Sequence, residues 1–189
     1  STKPIGFTNH PIPILSEKDD SIIYEMHIRD FTIDESSGVI NDLRGTYLGT
    51  VEENTIYKNP YNGKCVKTGI EHLCELGITH VHLMPIFDFG SVDERFPGSN
   101  NRNWGYDPKN FNVPEGSYCS NPYNPVTRIL ELRQMIMKFH ERGIRVVMDM
   151  VYNHMMSTVN MDNIVPGYYF RSDYLGRYTN GSGCGNELA

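Results

Sequence analysis

The chain has 189 residues, of which 39% are hydrophobic, 11% aromatic and 21% charged, a composition that fits one ordinary globular domain and excludes a disordered polar segment. Its 17 Lys and Arg against 23 Asp and Glu leave a formal charge of −6, so nucleic acid as a partner has no bulk electrostatic support. No run reaches the roughly 18 apolar residues of a membrane-spanning helix, no signal-peptide pattern opens the chain, and Cys65, Cys74, Cys119 and Cys184 are scattered without a CxxC pair, so no membrane partner and free thiols in a reducing, cytoplasmic compartment are expected.

Residues 1–20, with Pro4, Pro11, Pro13, Gly6 and Asn9, read as a lead-in without regular structure. Ser21–Asp30 alternates, placing Tyr24, Met26 and Ile28 on one face and Ile23, Glu25, His27 and Arg29 on the other, and predicts a first strand. Phe31–Lys64 carries no sustained period and reads as an excursion. Over Cys65–Leu76, Val66, Ile70 and Leu73 fall on one helical stripe that Gly77 can stop. Ile78–Phe87 predicts a second strand ended by Pro85, and Phe89–Val126 another long loop. Asn124 as a cap, Pro125 at the first position and the stripe Ile129, Leu132, Ile136, Phe139 predict a helix over Pro125–His140 that Gly143 ends. Ile144–Val151 is a third strand, and residues 155–189 form a tail of turn residues and tyrosines.

Strands alternating with helices imply βαβ units, an α/β class and a parallel sheet. Each long loop follows a strand and precedes a helix, so all lie at the carboxyl ends of the strands, the edge where α/β folds bind ligands. No Gly-rich phosphate turn follows the first strand, which counts against an open nucleotide-binding domain.

Three constellations carry chemistry. Asp149 interrupts an apolar run in Asp149-Met-Val-Tyr-Asn-His154, where a charge must be paired or used. Asn103-Trp-Gly-Tyr-Asp-Pro108 holds the only Trp beside Gly105 and Tyr106; aromatics on a tight turn suit sugars, although Trp104 would serve equally as a hydrophobic anchor for the loop. Glu25, His27 and Arg29 form the third. His80 and His82 share a strand face but lack a third ligand at metal spacing, so a core reading is preferred.

Together YEMHIRDF (24–31), HLMPIFDF (82–89), NWGYDP (103–108) and DMVYNH (149–154) resemble the successive motifs of the α-amylase superfamily of glycoside hydrolases, and NWGYDP with the tail GSGCGNELA (181–189) resembles its type I pullulanase branch. The resemblance covers nearly everything from Ser21 onward, and the order of four motifs makes it specific; Arg102 stands where the family pattern usually has tyrosine. It implies an incomplete (β/α)8 TIM barrel, with 1–20 as lead-in, 21–154 as the first three βα units and 155–189 as a long loop after the third strand. The activity it implies is cleavage of α-1,6 branch points in pullulan, starch or glycogen, the alternatives being a branching enzyme, isoamylase, α-amylase or a non-catalytic glucan-binding fragment. Substrate binding would fall to Tyr106 as a stacking platform, to Asp107 and to His154. Asp149, which would orient an arginine beside the nucleophile, and Asn153 would support the active centre.

Retaining glycosidases need two carboxyl groups about 5–5.5 Å apart. The resemblance puts the nucleophile on a fourth strand and the acid/base on a fifth, outside this sequence. Arg171-Ser-Asp173 has the nucleophile's spacing but no strand around it. None of the catalytic carboxylates is therefore expected in this chain, which alone should be inactive and needs the remaining half of a barrel of about 250 residues as its partner. No cofactor is expected; the resemblance allows calcium near the third loop, but no carboxylate cluster in the sequence demands it.

Overall fold

A three-stranded parallel sheet carries the chemistry-bearing loops. In the computed structural model, which describes residues 2–96 and 102–189, β4 (His80–Leu83) lies between β1 (Ile23–Met26) and β7 (Arg145–Met148). The register pairs Glu25 with His82 and His82 with Val147. Val81 and Leu83 of the central strand are fully buried, whereas Ile23 on one edge and Val147 and Met148 on the other stay largely exposed. Helices α2 (Gly69–Glu75) and α3 (Pro125–Glu141) cover the sheet, and the core joins Met26, Ile70, Leu73, Leu83, Met135 and Phe139. The α/β class and the three parallel strands agree with the sequence pattern. Among the described residues no helix is long and apolar enough to cross a membrane, and all four cysteines are free.

Four parts of the chain differ from the sequence reading. The first strand stops at Met26: His27 accepts a hydrogen bond from the Asp30 amide at Nδ1 (3.1 Å) and caps a short helix, α1 (Ile28–Thr32), so Glu25, His27 and Arg29 do not share a strand face. Residues Cys65–Lys67 are not the start of a helix but β3, paired antiparallel with β2 (Ile56–Lys58); Val66 is exposed, and the buried helical pair is Ile70 and Leu73. The second strand breaks into β4 and β5 (Phe87–Phe89), and β5 forms an antiparallel ribbon with β6 (Pro108–Pro114) inside the predicted loop. Residues 97–101 of that loop lie outside the described residues. A short helix, α4 (Val159–Asp162), also lies in the predicted tail.

Helix α3 begins as expected, with Asn124 Oδ1 accepting from the Val126 amide at 3.0 Å and Pro125 following, and Gly143 (φ 77°) ends it. Its buried face is Arg128, Glu131, Met135 and Phe139, while Ile129, Leu132 and Ile136 are only partly covered. The rotation has a polar cause. Arg128 donates to Glu94 and to the Pro114 and Pro122 carbonyls, and Glu131 accepts from the Ser120 amide. These partners let two charged side chains occupy a core face, although the buried Arg128 Nε has none.

The lead-in is fastened across the outside of α3. Arg133 donates to the Thr2 carbonyl (2.6 Å), Arg145 to the Pro13 carbonyl (2.8 Å), and His10 Nε2 meets His140 Nδ1 at 2.7 Å with the rings stacked. One proton can be shared by the two imidazoles; a second breaks their bond. Burial, then the facing His10 and Arg145, hold His140 below its ordinary 6.5. A histidine depressed in the folded state favours folding above the unfolded value, and that contribution is lost as pH falls through 6.5 toward the folded value. Amide protection at Phe7 and Asn9, which bond to the Pro4 and Gly6 carbonyls, is expected to drop between pH 7.5 and 5.5, and to drop less in His140→Gln. Hydrogen exchange corrected for intrinsic rates checks this.

Candidate active site

The loop before β6 is shaped by Asn103. Its Oδ1 accepts from the Gly105 amide (2.8 Å), an Asx turn, and its Nδ2 donates to Asp107 Oδ1 (2.7 Å) and Ser91 Oγ (2.5 Å). Asp107 Oδ2 accepts in addition from the Ser91 amide at 3.0 Å. Gly105 sits at φ 89°, and a Cβ there would stand 2.5 Å from the Pro85 carbonyl oxygen. Gly105→Ala is therefore expected to lower stability by about 1 kcal/mol or more and to displace Tyr106; thermal melting and a ligand-binding isotherm report the two effects separately.

That turn brings Tyr106 over the end of β7. Its hydroxyl donates to Asp149 Oδ2 at 2.7 Å, and the Asp149 amide donates to the Leu83 carbonyl of β4 at 2.9 Å. The hydrogen bond to the Asp149 carboxylate is the largest cause pushing the phenol up to about 12, with desolvation behind it. His154, nearly buried, donates from Nε2 to the Tyr106 carbonyl (2.8 Å), since a carbonyl can only accept; its Nδ1 lies 3.2 Å from the Asn153 carboxamide. The Asn153 carbonyl accepts from the Leu188 amide at 3.2 Å, tying the 181–189 tail to this edge.

The structure thus brings together Tyr106, Asp149 and His154, with Asn153 adjoining, at the carboxyl end of β4 and β7. Asp107, half-buried, builds the loop, with both carboxylate oxygens engaged. Trp104 is not a buried anchor: it is 56% exposed, with the Arg102 guanidinium 5.9 Å from its ring centre. Trp104, Tyr106, Asn103, Asp107, Arg102 and Ser91 line a hollow of about 590 Å³, with Tyr106 41% exposed toward solvent. A larger hollow, about 1190 Å³, lies along the β1 edge and is lined by residues such as Tyr24, Tyr57 and His72, none of them from the Tyr106 group. Its size reflects an uncovered sheet edge, and convergent polar chemistry favours the smaller one. Asp173 accepts from the Leu175 and Arg177 amides and pairs with the Arg177 side chain (2.8 Å), the geometry of a turn rather than of a poised nucleophile.

A second cluster was not evident in the sequence. Asp88, Glu94 and Glu115 bring carboxylate oxygens within 4.8 Å of one another, a spacing that could hold a metal ion. The chain supplies its own cation, because Arg128 grips Glu94 through both terminal nitrogens (2.8 and 2.5 Å). Glu115 accepts from the Phe89 and Ser117 amides, and Asp88 from Asn110. Desolvation pushes Glu115 up to about 7 and also raises Asp88. The sequence signal was faint: three acids spread over twenty-eight residues, joined only by the β5–β6 ribbon.

The family described as "Alpha amylase, catalytic domain" matches residues 63–164, more than half of the chain. A pullulanase of Bacillus subtilis (strain 168) is 45% identical over 190 residues, covering 100% of this chain and 24% of its own. The chloroplastic isoamylase 3 of Oryza sativa is 36% identical over 195 residues, covering 95% of this chain and 22% of its own. Among solved structures, a pullulanase from Paenibacillus barengoltzii in complex with maltohexaose and α-cyclodextrin superposes with a TM-score of 0.91 at 45% identity, covering 100% of this chain and 29% of that one. The chain therefore spans between a fifth and a third of the length of these relatives.

Proposed function

Because the chain belongs to the α-amylase catalytic-domain family, we propose that it is part of a retaining glycoside hydrolase that cleaves α-1,6 branch points in pullulan, starch or glycogen. Residues 21–154 supply the first three βα units of its barrel, with 1–20 as lead-in and 155–189 as the loop after the third strand. The exposed edge residues Ile23, Val147 and Met148 support that arrangement, since unpaired parallel edges call for neighbouring strands.

The observation that carries the reading is the contact of Tyr106 with both Asp149 and His154. It sets an exposed aromatic face beside a carboxylate on the functional edge of the sheet. The Tyr106 ring stacks on a sugar, and Asp149 holds that ring by its hydroxyl while facing the position where a basic residue of the fourth strand would stand. His154 fixes the loop through the Tyr106 carbonyl, so any sugar contact of its own comes from its Nδ1 side, next to Asn153. Asp107 contributes by shaping the loop. The nucleophile and acid/base come from the remaining half of the barrel, and no cofactor enters this proposal.

An isoamylase-type specificity is the second reading, favoured by the 36% identity to the rice protein. Incubating the full-length protein with pullulan and with glycogen separates them. Maltotriose from pullulan supports the first reading; debranching of glycogen with pullulan left intact supports the second; no hydrolysis of either refutes both.

A further inference from the structure

His27 lies outside the Tyr106 group, yet one of its contacts leads there. It is 7% exposed, and its ring stands edge-on to Tyr118, 5.7 Å between centres. Nδ1 faces the Asp30 amide at 3.1 Å; an amide nitrogen can only donate, so Nδ1 carries the lone pair. Nε2 faces the Asn103 carbonyl at 2.8 Å; a carbonyl can only accept, so Nε2 carries the hydrogen. The Tyr118 oxygen lies 2.9 Å from the same nitrogen. Both hydrogen-bonding neighbours therefore demand one neutral tautomer, and burial, the first cause, lowers the pKa of the ring against the raising effect of the Asn103 hydrogen bond and of the Asp30 carboxylate, 3.6 Å from Nδ1. Asn103, held by its carbonyl, directs its side chain to Gly105, Asp107 and Ser91 and thereby fixes the turn that carries Tyr106.

We propose that His27, as the neutral Nε2–H imidazole, is the positioning residue of the Asn103–Asp107 turn and sets where the Tyr106 ring stands for a glucan ligand. The glucan part rests on the function proposed above; the positioning part does not. The two ring nitrogens do different work. Nδ1 caps α1 and serves the fold, whereas Nε2 reaches across the sheet edge and serves the site.

Two substitutions in the full-length protein separate these roles. Asn is a favoured N-cap, so His27→Asn keeps an acceptor for the Asp30 amide but is too short to reach Asn103. Gln places an amide donor near the position of Nε2 and loses the cap acceptor. In His27→Asn the melting temperature is expected to fall less than in His27→Gln, while exchange of the Gly105 amide speeds up about tenfold and KM for pullulan rises by about the same factor, the loss of one net hydrogen bond. In His27→Gln the order reverses: melting falls, and Gly105 protection and KM stay near wild type. Unchanged Gly105 exchange in His27→Asn overturns the proposal, whatever the activity. If both variants fail to fold, the imidazole nitrogen shifts of isotope-labelled wild-type protein decide: an Nδ1–H or doubly protonated ring at pH 7.5 overturns it, and the Nε2–H tautomer supports it. Faster Gly105 exchange in His27→Asn together with a wild type that hydrolyses neither pullulan nor glycogen keeps the positioning role and removes the glucan.

Discussion

Replacing Asp149 by Asn in the full-length protein is expected to lower turnover on pullulan on the order of 10²-fold, the cost of a misplaced reacting group, with only a small change in melting temperature. The side chain is partly exposed at the end of β7, and Asn keeps its shape and an oxygen that can still accept from the Tyr106 hydroxyl, so the fold loses little. The negative charge is what disappears. With it goes the charge-assisted bond that holds the Tyr106 ring and the anion proposed to orient a cation beside the nucleophile. The Tyr106 phenol, pushed up to about 12 by that carboxylate, should move back toward the usual tyrosine value, which a titration of ring-labelled tyrosine can follow. Wild-type turnover in the Asn variant would refute the role assigned to Asp149, and a phenol that stays at its raised value would show that the carboxylate charge is not the cause of the shift.

The largest loss of stability is expected from Arg128→Met. Methionine fills much of the volume of arginine but leaves Glu94 beside Asp88 and Glu115 without its bidentate partner. Removing one member of a buried pair costs about 3 kcal/mol at the low end of the usual range, which suits a pair whose side chains are 11% and 22% exposed. The sign of the pH dependence follows from Glu115. Its carboxyl is raised from 4.5 to about 7, so the folded chain holds this proton more tightly than the unfolded one. That contribution to stability is present at acid pH and is lost as pH rises from 4.5 through 7. Without Arg128 the carboxylates repel more strongly once ionised, so the deficit of the variant should be larger at pH 8 than at pH 5.5. Urea denaturation at the two pH values measures it; an equal deficit at both would mean that packing around the arginine, not charge, carries the effect.

Helix α3 was legible from the sequence because its signals are local: Asn124, Pro125 and Gly143 act within a turn of where they stand. β1 was read too long for the same reason. The apolar alternation runs on through Ile28, but His27 turns the backbone by capping α1, and histidine is a weak sign of a cap compared with Ser or Asp. Residues 65–67 were misread because their state is decided by β2, paired from seven or more residues away. At the site, Tyr106, Asp149 and His154 could be named from motif order, though not the bonds that join them. The loop-building bonds of Asp107 could not, because one of them depends on Ser91 across the β5–β6 ribbon. Nor could His27, whose partner Asn103 is 76 residues further along. Sequence reports side-chain chemistry and short spacing; which buried polar group answers which is a matter of tertiary geometry.

The strap formed by residues 2–13 bears on the order of folding. Its three attachments join residues separated by 130 to 132 positions. At about 5–20 residues per second of synthesis, these residues wait several seconds or more before His140 and Arg145 exist. Closing so long a loop is entropically costly until β1, β4 and β7 have paired and drawn the ends together. Docking of the strap should therefore follow sheet assembly, and until then the outer face of α3 stays open to chaperones and to other chains. Within this stretch, the residues that leave the ribosome earliest are the last to be held in place.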